Sequence, residues 1–250
     1  MDQHTTKRIL WKTTCERYVA FLDIMGFKEL VKRSTHKEIY QLLCNVTDVG
    51  IYFEKALNDV GHNIKVITFS DSIIVLSRKD DTPASFIDFS NVVSKIIGIC
   101  LFNGIPIKGG CAHGEVTYNQ SKNIICGQAY IDAYTMQENL FYYGVVCHHS
   151  IDQVLSLNKS DKGSDRFCVE TKMKDSDALH TNFDWFYSAC EANYELQKGY
   201  SYCDKIIREK INNFYLQCSG KPRQYVDNTM MMYERYLDSE HPRIRLKKII

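Results

Sequence analysis

The sequence predicts an α+β domain of βαββαβ order with a helical C-terminal extension, and three observations carry that prediction. Short runs rich in apolar, β-branched and aromatic residues, at 18–24 (YVAFLDI), 64–69 (IKVITF) and 72–76 (SIIVL), have the length and composition of strands. Segments with helical spacing of apolar residues lie between the strands. From about residue 182 the chain becomes aromatic-rich and loses strand alternation.

Each element follows from local pattern. Residues 1–17 are polar and of mixed charge and read as an arm before the first strand, 18–24. Gly26 turns the chain into a short helix, FKELVKR. A second helix over 37–57 places Ile39, Leu42, Leu43, Val46, Val49 and Phe53 at helical spacing. The strands 64–69 and 72–76 are separated only by Ser70 and Asp71, which predicts a hairpin with an aspartate at its tip. A helix over 83–102 precedes a strand at 105–112, a GEVTYN segment and a return strand at 123–126. A helix over 128–140 and strands at 145–148 and 167–171 complete the series, with 152–166 read as a polar loop. This is the ferredoxin-like order. After the break at Ser219-Gly220-Lys221-Pro222, one more helix spans 224–237. The layout is therefore an arm (1–17), a sheet domain (18–175) and a helical extension (176–250). The extension reads as an appendage rather than a second catalytic domain.

Composition excludes several classes of function. Thirty-one basic against 30 acidic side chains give a formal charge of +1, which argues against a dedicated nucleic-acid binder. The terminal RIRLKK reads as a solvated tail. The strands are too apolar for an RNA-binding sheet, which displays exposed aromatics. Ten cysteines are scattered without a C-x-x-C pair, the pattern of reduced thiols rather than of a disulfide framework. Only the His148-His149 doublet approaches zinc-ligand spacing, and no structural zinc is expected. The longest continuous apolar run, 96–102, falls short of the ~20 residues that cross a bilayer, and the first residues lack a signal-peptide core. The expected location is the cytoplasm.

Two aspartates carry the chemistry. Asp23 lies at the end of the first strand, directly before the turn Met25-Gly26-Phe27, and Asp71 sits at the hairpin tip. In a βαββ sheet the first strand lies beside the third, so the two carboxylates converge at one rim. Hard oxygen donors arranged in this way suit Mg²⁺ or Mn²⁺, with water and substrate phosphates completing the coordination. Amides of the turn that starts the first helix can receive a triphosphate. Either aspartate alone is equally well explained as a turn former; the pairing favours the metal reading.

Four segments then resemble the class III nucleotidyl cyclases, in order, over roughly residues 18–140. Phe21-Leu22-Asp23-Ile24-Met25-Gly26-Phe27 resembles their first metal motif and Phe69-Ser70-Asp71-Ser72-Ile73-Ile74 their second. Residues 107–116 (IKGGCAHGEV) resemble the strand ending in a Gly-Glu-Val turn, and 127–134 (GQAYIDAY) the start of the catalytic helix. The resemblance implies a homodimer with two composite sites, where Asp23, Asp71 and the Ile24 carbonyl hold two metal ions. It also implies that Met25, Gly26 and Phe27 receive the triphosphate, and that the 3′-oxygen attacks the α-phosphorus and expels pyrophosphate.

The departures from that pattern bear on substrate. The two positions that read a purine are here Ile67 and Ile124, which have no group to pair with a base edge. Lys65 and Asn123 would serve only after a shift of register. The ribose-binding asparagine and transition-state arginine of the catalytic helix are replaced by Ile131 and Thr135. Lys108, which aligns with a frequent arginine of the family, is the candidate catalytic cation, with Lys172 and Lys174 as others. This combination is similar to the Pycsar-type pyrimidine nucleotide cyclases of bacterial anti-phage defence, single cyclase domains with a helical C-terminal extension. That resemblance implies conversion of UTP to cyclic UMP, or of CTP to cyclic CMP, which activates a separate effector. Tyr40 or Tyr52 would fill the space a purine vacates. The alternatives are a purine cyclase using Lys65 and Asn123, and a silent dimerisation or nucleotide-binding module. His113 and the FDWFY cluster at 183–187 read as structural.

Overall fold

A computed structural model describes residues 11–58, 64–78, 83–157, 166–192 and 200–239. Strand β1 (Thr14–Ile24) runs through the middle of an eight-stranded sheet. It is followed by α1 (Phe27–Arg33), α2 (His36–Asn58), β2 (Ile64–Phe69), β3 (Ser72–Ser77), α3 (Pro83–Phe102), β4 (Ile107–Asn119), β5 (Ile124–Cys126) and α4 (Gln128–Asn139). Then come β6 (Val145–Cys147), α5 (His149–Leu157), β7 (Arg166–Lys172), β8 (Asp177–Phe183), α6 (Trp185–Ala192), α7 (Tyr200–Asn213) and α8 (Pro222–Asp238). The strand order is β2-β3-β1-β4-β6-β8-β7, with β5 hydrogen-bonded to β4. Strands β2, β3, β1 and β4 are antiparallel neighbours, which is the ferredoxin-like arrangement.

Side-chain alternation along β1 builds two apolar layers. Tyr18, Ala20, Leu22 and Ile24 join Ile73 and Val75 of β3 in the larger core, which α2 and α3 cover with Val46, Phe89, Val93 and Ile97. Val19 and Phe21 face the other way and pack with Ile74, Leu76, Ala112 and Val116 against Ala129 and Ala133 of α4. Asp23 continues this second series, so the strand's own period points it to the α4 side.

Several sequence readings need correction. Strand β1 begins at Thr14, not at residue 18, because the long β4 supplies partners for Thr14–Arg17. Residues 1–10 of the predicted arm lie outside the described residues, as do 158–165 of the predicted loop and the RIRLKK tail. Residues 152–157 are helical: Ile151 and Val154, three residues apart, face the core and complete the first turns of α5. Residues 177–183, placed in the helical extension, form strand β8. It pairs with β7 from Lys172↔Asp177 to Arg166↔Phe183 and meets β6 at Val146↔Asn182. The extension is not an appendage either, since Phe186, Ala189, Ile207, Phe214, Val226 and Met232 belong to the same cluster as Tyr18 and Leu22. Finally, 85–102 forms a helix whose mean hydropathy of 1.5 is high enough to cross a membrane despite interrupting polar residues. In the fold 61% of that window is buried, packed between the sheet and α6.

Polar contacts fix the extension in place. Asp184 is fully buried and accepts from the Tyr187 amide at 2.9 Å, capping α6, and from the Tyr236 hydroxyl of α8 at 2.9 Å. Helix α8 also takes the Tyr143 amide on Thr229 Oγ1 (2.8 Å) and donates from Asn228 Nδ2 to the Phe141 carbonyl (2.7 Å). Residues 141–143 join α4 to β6, so α8 is bound to the segment beside the carboxylate rim.

Candidate metal and nucleotide site

Asp23 and Asp71 meet at one rim of the sheet. Asp23 is in register with Ser72 on β3 and with Lys108 on β4, and the Ile24 amide donates to the Asp71 carbonyl at 2.9 Å. The hairpin closes through Ser70, which adopts a left-handed φ of 55° and leaves Asp71 as the last residue before β3. Both carboxylates are half-buried. Gly26, at φ 72°, turns the chain out of β1 and caps α1, with nothing within 4 Å of where a Cβ would stand. The Met25 amide donates to the Pro106 carbonyl at 2.7 Å, so it is committed to holding the turn. Of the three predicted triphosphate residues, only Gly26 and Phe27 start the helix, where first-turn amides lack intrahelical acceptors. The Phe27 ring packs against the core.

Electrostatics concentrate on this rim. Burial, then the like charge of Asp71, pushes Asp23 up to about 6; Lys108 pulls against the shift. Lys108 is 3% exposed and is brought down to about 8, first by burial and then by the charge of Lys174. Its ammonium donates to the carbonyls of Glu138 (3.4 Å) and Leu140 (3.3 Å) at the end of α4 and lies 5.6 Å from the centre of the Tyr225 ring. The carbonyl end of a helix is the natural seat of a cation. Lys174 is anchored nearby, its amide donating to the Asn139 carbonyl at 2.8 Å. Lys172 is paired with Asp177 at 2.5 Å.

Two members of this cluster escaped sequence reasoning. Glu138 acts on Asp23 and Lys108 through its charge, and Tyr225 of α8 has its proton affinity raised by burial, then by Glu138 and Asp23. Glu138 sits ten residues beyond the start of α4, outside every motif. Tyr225 lies about 200 residues from Asp23 in a segment with no local signature. The Lys108 alignment was the only signal that led toward them.

The predicted base-pocket residues are not gathered. Tyr40 and Tyr52 project from α2 and are 64% and 67% exposed. Their helix covers the larger core, whereas Ile67 packs with the second cluster on the α4 side. Within one chain, therefore, neither tyrosine shares a pocket with Ile67. Ile124 is 45% exposed, and its neighbour Ile125 is the one that packs inward. Lys65 is on the same strand face as Ile67, two residues away. Asn123 is in a left-handed turn residue at φ 53°. Ile131 and Thr135 are on the exposed side of α4. His113 packs against the Tyr18 ring at 4.9 Å, and its amide donates to Ser150 Oγ, away from the rim. Among the described residues no group of three or more His, Cys, Asp or Glu side chains is placed to hold a metal. The rim instead offers two carboxylates, the donor number used by ions that take their remaining ligands from water and phosphate.

No protein-family model matches the chain, and no curated protein matches it in sequence. Solved structures do. The monomeric guanylyl cyclase domain of the RhoGC fusion protein from the aquatic fungus Blastocladiella emersonii aligns with a TM-score of 0.50 at 16% identity, covering 68% of this chain and 96% of that one. A double mutant of the same fungal domain aligns with a TM-score of 0.50 at 17% identity, covering 69% and 95%. The chain thus has the class III nucleotide cyclase fold, joined to a helical C-terminal part.

Proposed function

We propose that this chain is a metal-dependent nucleotide cyclase that converts UTP to 3′,5′-cyclic UMP and pyrophosphate, or CTP to cyclic CMP. The observation that carries the reading is the convergence of Asp23 and Asp71 at one rim of a cyclase fold, close enough that Asp71 raises the proton affinity of Asp23. Two half-buried carboxylates that repel each other are a site a divalent cation relieves, and their hard oxygens fit Mn²⁺ or Mg²⁺. Asp23, Asp71 and the Ile24 carbonyl would hold two such ions, which when bound supply Lewis-acid activation of the 3′-oxygen and charge neutralisation on the triphosphate.

The chain's own groups position the rest. The 3′-hydroxyl gives up its proton to water, its oxygen bonds to the α-phosphorus, and the bond from that phosphorus to the bridging oxygen breaks so that pyrophosphate leaves with that oxygen. Amides of Gly26 and Phe27 receive the triphosphate. With Ile131 and Thr135 unable to supply a cation, that role falls to Lys174 and Lys108. Lys174 is the better placed of the two, because the Lys108 ammonium is already bonded to helix carbonyls. Ile67 and Ile124 bring no hydrogen-bonding group to a purine edge, which supports a pyrimidine.

Exposed apolar side chains on the α4 side of the sheet support a homodimer with composite sites. Phe69, Ile131, Tyr134 and Ile124 are exposed apolar side chains on β2, α4 and β5, the elements flanking the smaller cluster. The cyclic product would activate a separate effector in anti-phage defence.

The test is purified protein with Mn²⁺ and ATP, GTP, CTP or UTP, with products resolved by mass. Cyclic UMP or cyclic CMP is the expected product. A purine product would favour the second reading, supported by Lys65 lying on the same strand face as Ile67. No product from any of the four would favour a silent nucleotide-binding module, or an enzyme that awaits an activator.

A further inference from the structure

A cavity of about 890 Å³ lies between the turn after Asp23 and the C-terminal extension, and neither Asp23 nor Asp71 lines it. Its inner wall is aromatic and apolar. Ile24, Tyr143, Phe214 and Tyr225 line it and are each at most 9% exposed. The Tyr143 and Tyr225 rings stack at 5.8 Å with planes 19° apart, and Phe214 lies 5.2 Å from Tyr143. The outer part carries two exposed guanidinium groups, Arg33 from α1 and Arg223 from α8. Glu29 also lines the cavity, but its carboxylate is paired with Lys32 at 2.7 Å, so the arginines set the sign of the charge.

We propose that this cavity is a binding site for an apolar, aromatic small molecule carrying one anionic group. The volume falls in the ~300–1,000 Å³ range of small-molecule pockets, and the division into apolar wall and few polar groups is the usual one. The packed rings of Tyr143, Phe214 and Tyr225 give the inner wall an apolar aromatic surface for the hydrocarbon part of a ligand. A guanidinium is the side chain best suited to hold a carboxylate, sulfonate or phosphate at the entrance. The cavity exists only because the extension closes against α1 and the loop before β4. It therefore gives the extension a role that the carboxylate rim does not explain.

The test uses 8-anilinonaphthalene-1-sulfonate, an apolar aromatic anion, titrated against the full chain and followed by fluorescence. Saturable binding of one equivalent per chain is expected. Arg33→Glu should weaken it at least tenfold, since an exposed cation at the entrance becomes an anion. Ser219→Trp, an exposed position on the cavity lining, should weaken it comparably by obstruction. Both variants must melt with the wild-type chain, and as both positions are exposed each serves if the other fails to fold. Unsaturable binding, more than one equivalent, or affinity unchanged in both variants would overturn the proposal, the last placing the dye on the apolar surface around Phe69 and Ile131. Binding requires no turnover, and Asp71→Ala should bind the dye like the wild type. Failure here and failure of the cyclase reading are thus distinguishable.

Discussion

Asp23 and Lys108 are register partners across the β1–β4 ladder, and burial disfavours the charged form of both. The folded state raises the carboxyl to about 6, chiefly through burial and then Asp71, so the folded chain binds a proton that the unfolded chain has already released. Any stability from this group is present at low pH and is lost as pH rises from the ordinary carboxylate range through about 6. The metal-free Asp23→Asn variant should therefore be more stable than wild type at pH 7.5, by about 1 kcal/mol once solvent screening of the partly exposed group is allowed for. For a chain of this size that is a rise of about 2–4 °C in melting temperature. A melt at or below the wild-type value would refute it.

Asp71→Ala tests the metal role from the other side. Asp71 sits at a hairpin tip outside both apolar clusters, so its removal should leave the fold intact. Mn²⁺ should raise the melting temperature of the wild-type chain and not that of the variant, because only an intact pair binds the ion to the native state. Metal-dependent pyrophosphate release should fall at least a thousandfold. Retained turnover would dissociate Asp71 from the chemistry.

The two candidate lysines of the β7–β8 region make a paired comparison. Lys172 is engaged with Asp177. Lys174 stands near enough to Lys108 to depress its proton affinity, and its backbone amide is bonded to the Asn139 carbonyl at the end of α4. Lys174→Ala should lower kcat/KM by about a hundredfold, the scale of losing one charged transition-state contact. Lys172→Ala should change it less than threefold. Steady-state kinetics on the preferred nucleotide decide it, and the reverse order would move the cation role to Lys172.

The dimer is read from surface chemistry and is checked in solution. Phe69 is 79% and Ile131 51% exposed on the side of the sheet that α4 only partly covers. The double variant Phe69→Glu, Ile131→Glu should be monomeric by analytical ultracentrifugation at concentrations where the wild type is dimeric. It should also lose turnover, since each composite site needs both chains. A monomeric wild type that turns over would refute the composite arrangement.

What the sequence made legible was whatever short-range patterns encode. The apolar runs gave β1 to β3 and their hairpin, and the two aspartates were found because each punctuates a strand. The errors arose where order comes from distant partners. Thr14–Arg17 look like an arm until β4 supplies the matching backbone, and Asp177–Phe183 alternate too weakly to read as a strand without β6 and β7 beside them. Tyr225 and Glu138 act on Asp23 and Lys108 through charge and burial created by the fold, which no local spacing announces. Tyr40 and Tyr52 show the complementary limit within one chain. Their place on α2 was right, but the α2 face that carries them points to solvent on the wrong side of the sheet for Ile67.

The extension's integration into the core leads to the last prediction. Asp184, itself fully buried, holds the start of α6 through the part-buried Tyr187 amide and reaches α8 through the buried Tyr236 hydroxyl. Asp184→Ala removes a helix cap from a part-buried amide and strands a buried hydroxyl, which together should destabilise by about 3 kcal/mol. That corresponds to a fall of about 6–12 °C in melting temperature. Tyr236→Phe removes only the second bond and should cost about half as much. Because α6, α7 and α8 share one cluster with Tyr18 and Leu22, the loss should appear in a single cooperative transition for the whole chain. Two separate transitions, with only the earlier one shifted, would show that the extension folds as an independent unit.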